Sequence, residues 1–426
     1  MVIRNVIGSR FFRKYSVLSI AAIAAAMSLR TASAELVNNT WTGSAATWNA
    51  SGNWSLGRAP MENDIAYFPN SGGMVMFGWA FQDAGGSMGG LRVERQGGIS
   101  FANSTSAYQL DLGAGGITLA GSGNITFWQN ATLNVIASQA WTNNTSTPFT
   151  FNNAVSAAVV LGNDSLAPVA LTLAGTGNFN FGEKSKIVSN NPSVANGVLI
   201  DTTGTVVFGS TNNSYTGATT IQRGVLQLTN KDAIATSAMI FIDENGTLDV
   251  ATIADFVIPK GQTLAGSGTI KGDNITINGT LESGSALTFL GKGVQLNDME
   301  LDYDIDAGML DITGDFSVNT ITVNLLNIAN GKYELIHASS EIAGWIVDIS
   351  GTISDGDIRC DEPGNINFGF GWRTLKGNNI TFSIVKDGSG IFLNIDGIRN
   401  GSGTPEPASL AVLGLGAAAL MVRRRK

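Results

Sequence analysis

The chain has 426 residues, 43% hydrophobic and 14% charged, with 53 Gly, 9 Pro, one Cys and one His. Excess glycine without excess proline excludes collagen and proline-rich linkers and fits a chain that turns often between ordered segments. The lone Cys360 excludes an internal disulfide or a cysteine-ligated zinc site, the lone His337 excludes di-histidine chemistry, and a pI near 4.8 argues against a nucleic-acid partner.

In chain order, Arg4, Arg10, Arg13 and Lys14 come first, then an apolar run from Ser16 to Leu29, then the small-x-small triplet Ala32-Ser33-Ala34. This is the composition of a secretory signal peptide over residues 1–34, with Ala32 and Ala34 setting the cleavage site. The apolar run is shorter than the ~20 residues of a membrane anchor. Residues 35–70 follow as a Trp-rich N-terminal cap, with Trp41, Trp48 and Trp54 close together. Large aromatics bury ~150–250 Å² each and can close the open end of a stacked fold; the competing reading is a sugar-stacking platform.

Residues 71–300 show no amphipathic helical stretch. Short alternating runs recur between Gly, Asn, Ser and Thr. Ile117, Leu119, Ile125 and Phe127 should share one face of two strands joined by the bend at Gly121-Ser122-Gly123. The motif Leu-Ala-Gly-Ser/Thr-Gly appears at 119–123, 173–177 and 264–268, at irregular spacing. Strand–turn units of uneven length predict an all-β solenoid, a right-handed parallel β-helix, with a stacked β-sandwich array as the alternative. Within this body, Asn213, Tyr215, Thr216, Gly217, Thr219, Ile221, Gly224, Leu226 and Leu228 resemble the autotransporter-associated β-strand repeat, placed near 212–243. That resemblance implies two short strands (219–222 and 225–228) flanking a glycine turn, in a β-helical, surface-exposed protein. Thr219→Val is expected to be mild there.

Residues 301–398 are read as terminal β coils, since 303–336 resemble the closing coils of the same secreted repeat proteins. Just before them, Asp298, Glu300, Asp302, Asp304 and Asp306 alternate with Met299, Leu301, Tyr303 and Ile305. As a strand, this puts five acids on one face. The expected role is a solvated surface that resists lateral pairing; calcium chelation would need further oxygens. Residues 399–404 form a short linker.

The chain ends in Pro405-Glu406-Pro407, an uncharged run from Ala408 to Val422, and Arg423-Arg424-Arg425-Lys426. The run can enter a bilayer as a helix with the basic cluster held on the cytoplasmic side. Residues 405–426 closely resemble the PEP-CTERM sorting signal of Gram-negative bacteria; the competing reading is a plain C-terminal anchor. The resemblance implies an exosortase-type sorting protease as partner, transient inner-membrane contact through 408–422, and a final location at the cell surface or outside it. Removing both ends leaves 16 basic and 33 acidic side chains, a formal net of −17.

Candidate chemistry is sparse. Asp243-Glu244 and Asp361-Glu362 are paired acids without a basic cluster, Cys360 sits among carboxylates that disfavour a thiolate, and a serine triad would have to use His337. No catalytic residue, cofactor or metal site is assigned. The expected function is a non-catalytic exported surface or extracellular-matrix protein, structural or adhesin-like. The alternative is a β-helix that binds or cleaves polysaccharide, because the sorting signal is associated with exopolysaccharide-producing bacteria.

Overall fold

The structure, a computed structural model, describes residues 35–396 apart from internal stretches, among them 78–85, 102–107, 152–156 and 354–365. The signal peptide and the sorting tail, with its expected helix over 408–422, lie outside the described residues. Within them the chain is a β-solenoid, with one short 3-10 turn (Ser51–Asn53) and no α-helix. The structure thus answers the choice between solenoid and stacked sandwich in favour of the solenoid.

The strands stack in parallel on three faces. The first face starts at Val37–Thr40 and adds Asp64–Phe68, the second half of Gly86–Val93, and so on to Ile321–Asn327 and Ile366–Phe370, every pairing parallel. The second face carries Phe149–Phe151, Phe179–Phe181, Thr269–Lys271 and Ala286–Leu290. The third holds Ala131–Val135, Ala157–Leu161 and Ser185–Ser189 near the start, and Val257–Ile258, Thr276–Ile277, Val294–Leu296 and Phe316–Val318 further on.

Alternation along each strand turns into columns along the solenoid. On the first face Gln139, Leu171, Val198, Thr219, Ile240, Leu264, Leu281 and Leu301 are register partners in turn, and all are buried. Their spacing in sequence is uneven, widest from Gln139 to Leu171 and narrowest from Leu264 to Leu281. The rungs stay even while the coil length nearly doubles, because extra residues go into corners rather than strands. On the inside of the second face a phenylalanine stack runs Phe101–Phe127–Phe151–Phe181–Phe208, with ring centroids 5.2, 5.7, 6.1 and 5.5 Å apart. Burying each such ring contributes about 2–3 kcal/mol.

The recurring Leu-Ala-Gly motif marks a corner, not a period. Leu119, Leu173 and Leu264 occupy three different inward columns, paired with Val93, Trp141 and Ile240 respectively. In each copy the glycines turn the chain from the first face to the second. The irregular spacing follows, since the corner shifts by two residues whenever the preceding strand gains or loses an inward position.

Buried amides stitch the coils where the ladder breaks. Asn213 Oδ1 accepts from Ile187 N (2.8 Å) in one neighbouring coil, and its Nδ2 donates to Ala233 O (2.8 Å) in the other. Gln262 Nε2 donates to Ile234 O and Ser237 O at 2.9 and 2.7 Å. Such amides satisfy corner groups that burial would otherwise leave unbonded, at ~1–3 kcal/mol each.

Two readings are corrected. First, residues 219–228 form one strand rather than two around a turn; it bends at Gly224, whose φ is +83°. A Cβ there would sit 2.1 Å from Thr202 O, so the backbone of the preceding coil excludes any side chain. Second, parallel winding does not continue to residue 398. Gly390–Asp396 pairs antiparallel with Gly331–Ala338 and with Ile380–Asp387, which pairs antiparallel with Ile349–Ile353. Asp387-Gly388-Ser389-Gly390 between two alternating runs is a hairpin signal, and a hairpin cannot wind as a coil.

Gly224→Val should therefore cost at least ~3 kcal/mol, from the left-handed backbone and the overlap. Val225→Thr, on the outside of the next position, should stay within ~0.5 kcal/mol. Chemical denaturation of residues 35–404 measures both, and similar losses would contradict this placement. Thr219→Val, expected from sequence to be mild, becomes costly. Thr219 is fully buried; its Oγ1 lies 2.7 Å from Tyr215 Oη and donates to Ser237 Oγ at 2.9 Å. A loss of ~1–3 kcal/mol in the same assay is expected, against almost none if the hydroxyls were solvated.

Candidate functional site

Among the described residues the charged and aromatic side chains divide into those that build the fold and those that line its outside. The tryptophans build it. Trp41, Trp48 and Trp54 are 3%, 2% and 2% exposed. Trp54 meets Trp48 and Trp41 edge to face at 4.8 and 5.0 Å, Trp41 stacks on Phe68 at 5.8 Å, and Trp54 Nε1 donates to Trp48 O at 2.7 Å. Rings packed in this way have no open face for a sugar, so the stacking-platform reading is overturned. The loop carrying them also covers the outer edge of the first rung. Ser55 N donates to Thr40 O, Leu56 N to Asn39 Oδ1, and Asn39 Nδ2 to Arg58 O.

The acidic ladder falls on the first face at Met299–Asp304. Met299 and Leu301 are buried and Glu300 is partly exposed, flanked in register by Thr280 and Thr322. Asp302 lies between Glu282 and Asn324 in the ladder. Asp298 and Asp306, and the side chains of Asp302 and Asp304, lie outside the description. No group of three or more His, Cys, Asp or Glu able to hold a metal occurs among the described residues.

Several basic side chains are tied to acids. Arg223 contacts Asp201, and Lys271 Nζ lies 3.1 Å from Asp249 Oδ2; in both pairs the residues are direct register partners on successive rungs. Arg92 contacts Glu94, and its guanidinium lies 5.2 Å above the Tyr67 ring, one rung away. Glu94 also accepts from Tyr67 Oη at 2.7 Å. The Tyr67 bond, followed by that from Arg92, holds the Glu94 carboxyl below its ordinary range, while the bond to Glu94 and then burial push the Tyr67 phenol up against the opposing charge of Arg92. The pairs 201/223 and 249/271 share one offset, a single coil, which is legible as a signal only once the coil length is known.

His337 Nδ1 lies 2.9 Å from Glu334 Oε1 on the same strand, with Asp311 and Gly390 as strand neighbours. Neither neighbour is a serine, threonine or cysteine. Asp243 and Glu244 sit at the corner between the first and second faces, where burial raises the Asp243 pKa, opposed by the Glu244 N–H bond to its Oδ1 (2.8 Å). Cys360, Asp361 and Glu362 lie outside the described residues, as do Ala32, Ala34, Pro405, Glu406, Pro407, Arg423, Arg424, Arg425 and Lys426.

One regular outward surface remains. On the second face Thr205, Val225, Thr247, Thr269, Thr288 and Thr313 are successive register partners, a file of hydroxyls at the ~4.8 Å strand spacing broken by a single valine. Sequence inspection missed it because each member lies a full coil from the next and the coils differ in length.

With this geometry in hand, comparison with protein families matches residues 404–426 to the PEP-CTERM protein-sorting motif. The motif marks an exported protein, and signals of this type are processed by exosortase. Comparison with curated proteins gives no significant match.

Asp243 supplies a pH test. Its carboxyl keeps its proton to higher pH when folded than when unfolded, so stability falls as pH rises from the ordinary carboxylate range through the raised value. Asp243→Asn should raise Tm near pH 7 and leave it unchanged near pH 3, read by melts at both. An equal shift at both values would place the effect elsewhere.

Proposed function

We propose that the chain is a non-catalytic exported protein of the cell surface or extracellular matrix, structural or adhesin-like, sorted through its tail. The observation that carries this is the sorting motif at 404–426. The apolar run 408–422, stopped by Arg423-Arg424-Arg425-Lys426, pauses in the membrane, because moving those charges across the bilayer is costly. The linker read from the sequence over residues 399–404, at most ~22 Å when extended, stands before Pro405. That reach lets a membrane-embedded exosortase work on Thr404–Pro407 while the body stands clear of the lipid.

The body suits this role. It is a rod covered at its first rung by the tryptophan loop, with an outward hydroxyl file and an acidic excess that disfavours adhesion to anionic lipid. We assign residues 212–228 as a copy of the autotransporter-associated repeat. In support, Tyr215, Ile221, Leu226 and Leu228 fill the interior, and Asn213 and Gly224 hold the corners.

Intact mass spectrometry of the protein from its own cells, with cell fractionation, is the test. The expected form lacks residues 1–34 and everything after about Pro407, and is found outside the inner membrane. Changing Pro405-Glu406-Pro407 to alanines should trap an unprocessed, membrane-held form. Surface-located protein that keeps Arg423–Lys426 would replace sorting by permanent anchoring. Depolymerisation of a polysaccharide by residues 35–404 would favour the alternative reading as an enzyme.

A further inference from the structure

Asparagine is the residue that the corners use most conspicuously, and its placement has a chemical pattern. Of 38 asparagines, 15 stand two residues before a Ser or Thr with no intervening proline. Ser and Thr are 73 of the 426 residues, so chance alone would place about six or seven in this acceptor pattern for asparagine-linked sugar. Among the described residues the sites run from interior to exposed, with Asn124 and Asn278 half-buried between the two.

Asn53 and Asn143 are interior. Asn53 Nδ2 donates to Thr47 O at 2.8 Å, and Asn143 Nδ2 donates to Thr147 O and Asn178 O at 3.0 and 2.9 Å. Their amide nitrogens are committed to holding corners. Asn38, Asn49, Asn144, Asn212, Asn245 and Asn274 are exposed. The hydroxyl residues that complete these sites (Thr40, Ser51, Ser146, Ser214, Thr247 and Thr276) are exposed or half-exposed as well. Asn144 and Asn245 lie on the edge between the first and second faces, and Asn212 and Asn274 on the edge between the second and third. A corner asparagine followed by an outward strand position brings amide and hydroxyl to the same outer edge.

We infer that the exposed corner asparagines, with Asn144, Asn212, Asn245 and Asn274 foremost, are acceptors for N-linked glycan added after export. The inference rests on the export reading, since it needs a compartment that holds a diphosphate-activated sugar on a lipid carrier. In the transfer, asparagine Nδ2 bonds to the sugar C1, the bond from C1 to the phosphate oxygen breaks, and the lipid diphosphate leaves with the electron pair. The nitrogen's proton passes to a carboxylate base of the transferase. Glycans on the edges leave the three faces uncovered, including the threonine file, and surround the rod with hydrated chains.

The experiment is peptide mapping and intact mass of the protein from its own cells, beside protein made in a host without such a transferase. The native mass should exceed the processed chain by whole sugar residues, localised by fragmentation of the peptides to Asn144, Asn212, Asn245 or Asn274 and absent from Asn53 and Asn143. Ser146→Ala, which keeps Asn144 but removes the hydroxyl of its site, should lose one glycan and retain the Tm of the unglycosylated protein. A native mass equal to the processed sequence overturns the inference and makes the motif a by-product of corner chemistry. Sugar attached through Ser or Thr oxygens, or unchanged occupancy in Ser146→Ala, also overturns it. The terminal peptides in the same map report signal and tail removal separately, so failure of sorting and failure of glycosylation are distinguishable.

Discussion

Every part of this fold depends on the backbone hydrogen bonds that join each strand to its equivalent one coil later. In a parallel ladder those bonds fix the rise at ~4.8 Å and keep the strands in register, so each residue in a strand stands directly above and below a partner. An inward position can then only be what its two neighbours allow. The result is seen in the column from Leu171 to Leu301, aliphatic except at Thr219, and in the aromatic stack from Phe101 to Phe208. An outward position likewise meets its neighbours, which is why Arg223 finds Asp201 and Lys271 finds Asp249. The same closeness forces glycine where a corner brings backbone onto backbone, as at Gly224 over Thr202.

The ladder constrains strands and leaves corners free. The short coil from Leu264 to Leu281 and the long one from Gln139 to Leu171 share one rung spacing, because the difference is absorbed between faces. Freed from the ladder, corner N–H and C=O groups need other partners, and amide side chains supply them. Asn213 bonds to both neighbouring coils at once, and Gln262 to two carbonyls of the coil before it. A solenoid built this way also has two exposed ends. One is covered by the packed indoles of Trp41, Trp48 and Trp54, and at the other the second face turns antiparallel at Gly390–Asp396. Ladder edges that stay open invite pairing with other chains.

Function divides between body and tail in the same way. The sorting motif decides where the chain goes, and it consists of residues that need no fold to be read. The body decides what is displayed. Several of its acids and bases pair across rungs, and its buried aromatics serve the core, while hydroxyl and asparagine edges form part of the outward chemistry.

Much of this was legible in the sequence. Alternation identified strands and the side on which Ile117, Leu119, Ile125 and Phe127 are buried, because period two is a property of a single strand and needs no knowledge of its partners. The sorting tail was legible for a related reason, since charge and apolar length act on a membrane without tertiary structure. What the sequence left open were relations between coils: that Thr219 is interior, that the tryptophans fill a core rather than offer a platform, that the Leu-Ala-Gly copies mark corners, and that the last strands form a hairpin sheet. Each depends on which residue lies one coil above or below, and with coils of unequal length only the assembled ladder sets that register.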